Sequence, residues 1–226
     1  MTLLSITSLQ KSFVSPDGER KVIVSVPEFD LEAGQQLALR GDSGSGKTTF
    51  LHLIAGILTA DQGVILLGGK DMAGLSESKR DRLRAESIGY IFQTFNLLQG
   101  YTCLENVLLG MSFGPGADRA RATHLLERVG LSHRLHHYPR QLSTGQQQRV
   151  AIARAMANKP KLVLADEPTG NLDRANAKDA LALIRDTCRE SGAALLLVSH
   201  DAEVLGAFEG ALNFADLNLA MKETRQ

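Results

Sequence analysis

Residues Gly41-Asp42-Ser43-Gly44-Ser45-Gly46-Lys47-Thr48 match the pattern GxxxxGK[ST], and this octapeptide constrains the 226-residue chain more than any other stretch. Its context matters as much as its letters. The apolar run Gln36–Arg40 before it reads as a strand, and a helix is expected from Lys47 to about Ile57. Small residues let the backbone curl around an anion with several N–H groups pointing inward. The helix N-terminus adds partial positive charge. Lys47 supplies a full charge for the β- and γ-phosphates of a nucleotide, the Thr48 hydroxyl suits Mg²⁺, and the cradle extends to Thr49. Such a loop, between strand and helix, places the chain among α/β folds with a largely parallel sheet.

The remaining pattern agrees with that class. Leu3–Leu9 and Arg20–Val26 read as strands around the turn Pro16-Asp17-Gly18, with a bend at Glu32-Ala33-Gly34. Val64–Leu67, between glycines, suits a small antiparallel sheet, and Ile88–Phe92 is a further short strand. From about Asn96 to Asn158 strand signal fades. Leu104–Met111, Asp118–Val129 and Gln146–Asn158 read as helices. Then Lys161–Ala165 and Ala194–Ser199 read as buried strands flanking a helix over Ala175–Glu190, and a short helix and weak strands close the chain. The expected organisation is a single domain. An α/β core over 1–93 and 159–226 is interrupted by a helical subdomain over 94–158.

A metal-bound phosphate needs acids opposite the loop. The strand Leu162–Ala165 ends in Asp166-Glu167. A carboxylate at the carboxyl end of a parallel strand is placed to coordinate Mg²⁺, which makes Asp166 the metal candidate. Glu167, one residue on, points elsewhere and can act on water. The alternative, an ordinary acidic turn, loses force beside the phosphate loop.

Lys+Arg and Asp+Glu both total 25, so the formal net charge is zero, whereas a chain built to grip nucleic acid should be strongly basic. Nucleic acid is therefore not an expected partner. Cys103 and Cys188 form no ligand cluster and read as two reduced thiols. No apolar run reaches the roughly 18 residues of a membrane helix. The N-terminus lacks the pattern of a secretory signal. His133, His136 and His137 have no acidic or cysteine partner nearby in sequence, so no zinc site is expected. Ser76–Glu86, rich in both charge signs, reads as a solvated helix.

With these residues in place, the sequence resembles the ATP-binding subunit of an ABC transporter over nearly its whole length. Gln93 directly follows a strand, as in the family's Q-loop. Leu142-Ser143-Thr144-Gly145-Gln146, continuing through Arg149 and Arg154, is similar to the family signature and its helix. Asp166-Glu167-Pro168-Thr169-Gly170-Asn171-Leu172-Asp173 joins the Walker B acids to the D-loop, and Val198-Ser199-His200-Asp201 carries the switch histidine. The resemblance implies a RecA-like P-loop NTPase core and a homodimer with two ATP molecules at its interface. Each ATP would lie between one chain's P-loop and the partner's signature, Ser143, Gly145 and Gln146. It implies Mg²⁺ held by Thr48, Gln93 and Asp166, water activated by Glu167, a γ-phosphate contact from His200, and a link between the two sites through Asp173. Phe13 stands where the family commonly stacks a tyrosine on adenine, and stacking needs only the ring. A core phenylalanine is the alternative. Thr144 stands where glycine is usual. A β-branched residue would be strained there if φ were positive, and is tolerated if the position opens a helix.

Pro168–Asp173 and Leu97–Val107 resemble the subfamily of lipoprotein-releasing, macrolide-exporting and cell-division ATPases. That implies integral membrane permease partners, a place on the cytoplasmic face of the membrane, and exposed apolar residues after Gln93, with Phe95, Leu97 and Leu98 as candidate contacts; the equal alternative for each is that it packs the helical subdomain. The alternatives are an ATPase that regulates cell division or cell-wall enzymes through a membrane partner, and a soluble non-transport ATPase. Only about 100 residues without sustained heptads separate P-loop and signature, too little for the long coiled coil of the chromosome-structuring class.

Overall fold

The computed structural model describes residues 1–223. In chain order the elements are β1 (Thr2–Val14), β2 (Arg20–Glu32), β3 (Gln36–Arg40), α1 (Lys47–Ile54), β4 (Gln62–Leu67), β5 (Lys70–Asp71), α2 (Glu77–Ser87), β6 (Ile88–Ile91), α3 (Cys103–Ser112), α4 (Arg119–Arg128), α5 (Thr144–Ala155), β7 (Leu162–Asp166), α6 (Arg174–Ser191), β8 (Ala194–Ser199), α7 (Ala202–Gly206), β9 (Ala211–Asn213), α8 (Phe214–Leu217) and α9 (Ala220–Glu223).

Two sheets organise the core. One is parallel, in the order β6-β7-β8-β3-β9; the other is antiparallel, in the order β2-β1-β4-β5. Strands β7 and β8 are buried along their whole length, which explains their unbroken apolar runs: a parallel strand is covered on both faces. Alternate residues serve two cores. Val163, Ala165, Leu195 and Leu197 face the helices α3–α6. Leu162, Leu164, Leu196 and Val198 face α1 and the antiparallel sheet, where Phe50 packs edge-on against Phe29.

Strand ends differ from the sequence reading for identifiable reasons. Strand β1 runs five residues past Leu9 into polar sequence. That half is held by Asp61, which accepts from the Ser12 backbone N–H and hydroxyl, from Lys11 and from Arg20. These bonds keep the Asp61 carboxyl far below the usual carboxylate range. Strand β2 passes through Pro27 because β2 lies at the sheet edge and Pro27 is exposed there. Helix α1 stops at Ile54 rather than Ile57, since Gly56 takes the left-handed conformation, φ 65°, that ends helices.

All strands of the larger sheet run the same way, so their carboxyl ends share one rim. Arg40 lies beside Ser199, Asp166 beside Val198, and Ile91 beside Ala165. The segments leaving β3, β6, β7 and β8 therefore meet at that rim, the edge where ligands bind in open α/β sheets.

Candidate functional site

The phosphate loop links β3 to α1. Gly44 and Gly46 have φ of 78° and 93°, conformations that glycine adopts without a Cβ clash. At Gly46 there is also no room: a Cβ would lie 2.9 Å from the Ile23 carbonyl. Lys47 is 6% exposed and curls back over its own loop. Its Nζ donates to the Gly41 carbonyl at 2.5 Å and the Asp42 carbonyl at 2.8 Å, and lies 3.5 Å from Ser45 Oγ. Burial pulls the ammonium below its ordinary pKa, opposed by the carboxylates of Glu167, Asp166 and Asp42. Asn218, fully buried, ties the loop down from the far end of the chain. Its amide donates to the Ser45 and Ile23 carbonyls and accepts from the Ser25 N–H.

Opposite the loop, the Thr48 hydroxyl donates to Asp166 Oδ1 at 3.2 Å. Burial raises the Asp166 carboxyl above its usual range, with the Thr48 hydrogen bond pulling the other way. Glu167 is oriented from two sides: Ser199 Oγ donates to Oε2 at 3.1 Å, and His200 Nδ1 lies 2.8 Å from Oε1. Ser43 to Thr49, Gln93, Asp166, Glu167 and His200 line one cleft of about 280 Å³.

The remaining site candidates lie away from this cleft's lining. Ser143, exposed at the tip of α5, forms a capping box: its hydroxyl accepts from the Gln146 N–H and its own N–H donates to the Gln146 side chain. That leaves the Ser143 O–H and the first N–H groups of the helix free to meet an anion. Thr144 has no positive φ and is the first residue of α5, so its β-branch is unstrained. A Cβ on Gly145 would lie 2.8 Å from Asn176 Oδ1. Asp173 caps α6 by accepting from the N–H groups of Ala175 and Asn176. Phe13 is 41% exposed near the end of β1, with Lys11 Nζ 5.6 Å from its ring centroid, so the alternative of a core phenylalanine is corrected.

A family model described as ABC transporter matches residues 24–170. The chain belongs to the ABC transporter family. It is an ATP-binding subunit similar to the lipoprotein-releasing system ATP-binding protein LolD of Shewanella denitrificans, at 42% identity over 99% of this chain and 97% of that one. It is similar to LolD 2 of Caulobacter vibrioides at 39% over 97% of both, and to LolD of Pseudomonas syringae at 44% over 88% of both. Among solved structures it resembles the dimeric cassette MJ0796, in a post-hydrolysis state bound to ADP and Pi. The TM-score is 0.83 at 32% identity, covering 93% of this chain and 94% of that one.

Within this ABC cassette, two of three suggested partner contacts are corrected. Phe95 and Leu97 are each 8% exposed and pack into the helical core; only Leu98, at 43%, is exposed. A groove beside β6 is lined by Ile57, Tyr90, Phe92 and Phe113, together with the charged Asp81, Arg84 and Arg154. Sequence reasoning also missed residues that act through others. Arg154 donates to the Phe95 and Asn96 carbonyls, two residues held at positive φ just past Gln93. Asn171 donates to the Gln93 carbonyl at 2.6 Å. Ser199 stood beside His200 without a role, and its position at the end of a buried strand was the available signal.

Proposed function

We propose that the chain is the ATP-hydrolysing subunit of a membrane complex that releases lipoproteins, working as a homodimer around two ATP molecules. The single observation that carries this reading is the convergence of Lys47, Thr48, Gln93, Asp166, Glu167 and His200 on one cleft at the carboxyl rim of the parallel sheet. The loop N–H groups and Lys47 bind the phosphates, a phosphate oxygen replacing the loop carbonyls around Nζ. Glu167, held by Ser199 and His200, aligns water and takes its proton for in-line attack on the γ-phosphorus. His200 also contacts the γ-phosphate, and Phe13 offers its exposed ring to adenine. Catalysis here is mainly positioning and charge stabilisation.

Thr48 and Asp166 supply hard oxygen donors 3.2 Å apart. Mg²⁺ is commonly held by one or two carboxylates, waters and substrate phosphates, so this pair fits it, with Gln93 completing the set. When bound, the ion neutralises charge on the β- and γ-phosphates.

The Ser143–Gln146 tip meets the γ-phosphate of the ATP held by the partner, and Asp173 joins the two sites across the interface. The relatives' lipoprotein-releasing names support the cargo. Among the described residues no helix is long and apolar enough to cross a membrane, so membrane work falls to permease subunits. The groove of Ile57, Tyr90, Phe92 and Phe113 is where they dock, on the cytoplasmic face.

The test pairs two variants. Lys47→Ala is expected to weaken ATP binding by at least about tenfold, as loss of a buried charged contact does. Glu167→Gln is expected to keep ATP affinity and stall phosphate release. Steady-state hydrolysis at the wild-type rate by Glu167→Gln would remove Glu167 from its role.

A further inference from the structure

Helix α5 carries one polar side chain where its packing calls for an apolar one. Gln148 is fully buried, with Val150, Ala151 and Ile152 close behind it, also fully buried. Its Nε2 donates to the Pro168 carbonyl at 2.8 Å, and its Oε1 finds no partner. A buried amide oxygen without a donor is destabilising, so the fold alone does not favour glutamine here. The reason lies at the other end of the hydrogen bond.

Pro168 follows Glu167, whose φ is 44°. A residue before proline is biased towards extended backbone, and left-handed backbone in a residue with a Cβ is strained. Such a conformation persists only when its surroundings over-determine it. The pins are visible. The Glu167 N–H donates to the Val198 carbonyl, the Gly170 N–H donates to the Glu167 carbonyl, and Gln148 grips the next carbonyl along. The first two bonds hold Glu167 to the sheet and to its own turn. Gln148 ties that turn to α5, the helix whose exposed tip is the Ser143–Gly145 signature.

We propose that Gln148 is a positioning residue for hydrolysis, fixing the Pro168 carbonyl and thereby the placement of the Glu167 carboxylate over the attacking water. This rests on the reading of Glu167 as the group that activates water. The ATP-binding elements, Lys47 and the loop amides, make no hydrogen bond to Gln148 and stay in place without it. Loss of the Gln148 bond therefore acts on turnover and spares nucleotide affinity.

The test uses the full chain with Mg-ATP, comparing wild type, Gln148→Met, Gln148→Leu and Glu167→Gln. Each apolar variant removes one orphan acceptor, Oε1, and leaves another, the Pro168 carbonyl, so their melting temperatures should stay near wild type. The expected result is a kcat lowered on the order of tenfold or more, the scale of a small misplacement of a reacting group, with the KM for ATP unchanged. Wild-type kcat in Gln148→Met or Gln148→Leu, beside a stalled Glu167→Gln, would overturn the positioning role alone. Undiminished turnover in Glu167→Gln would overturn the reading beneath it as well. Loss of folding in both apolar variants would assign Gln148 to the core and also overturn the proposal.

Discussion

Asp166 shows at the scale of one residue how function is set against stability. The carboxyl is 7% exposed, and burial raises its pKa, with the Thr48 hydrogen bond as partial relief. The sign follows from linkage. A raised carboxyl pKa means that the folded state resists ionisation. The penalty is absent below the unfolded pKa, grows as pH rises through the folded one, and is complete above it. Asp166→Asn should therefore raise the melting temperature of the nucleotide-free chain at neutral pH while abolishing ATP turnover. The gain should shrink as pH falls towards the ordinary carboxylate range near about 4. Thermal melts across pH check this, and an equal or lower melting temperature at neutral pH would contradict it.

At the scale of elements, α5 carries the most consequence. Ser143 caps it, and losing such a cap costs about 1 kcal/mol. Ser143→Ala should lower the melting temperature by a few degrees and weaken ATP-driven dimerisation together. Thr144→Gly should change neither by much, because Thr144 is already helical and no positive φ awaits relief. Circular dichroism melts and sedimentation check the pair; strong recovery or loss of dimerisation in Thr144→Gly would show that the hydroxyl or the β-branch matters. The same helix shows how far the sequence could be read. Its core was legible from apolar spacing, but its start was placed two residues late, at Gln146. Ser143 and Gly145 were read as opening the helix, but the reciprocal bond from Gln146 that completes the capping box was not. Strands β3 and β8 match their sequence readings end to end, because each has a buried apolar centre, Leu37–Leu39 and Ala194–Val198. The outer half of β1 was not legible. Its stability comes from Asp61, distant in sequence and without periodicity. Asp166 and Glu167 were legible as acids at the carboxyl end of a buried strand opposite the phosphate loop, whereas Gln93 and His200 were legible only through the resemblance to the family. Gln148 and Arg154 were not, because their partners are backbone carbonyls, which carry no letter.

For the whole molecule, the core between the parallel sheet and helices α3–α6 locks away the two thiols. Cys103 and Cys188 are fully buried, and desolvation pushes the Cys188 thiol up to about 12. Neither should react with a thiol reagent at neutral pH until the chain unfolds, so labelling should track the unfolding transition. Rapid labelling of the native chain would reveal local opening around α3 or α6.

The phosphate loop lines one cleft, and the Ser143–Gly145 tip of α5, exposed at Ser143 and Thr144, is not among the residues that line it. The structure of Glu167→Gln loaded with Mg-ATP tests the proposed assembly most directly. A dimer of the 24.4 kDa chain is expected. In it, each γ-phosphate lies between Lys47 of one protomer and the Ser143–Gly145 tip of the other. Nucleotide bound at Lys47 with every such tip facing solvent, or facing an unrelated surface, would contradict it.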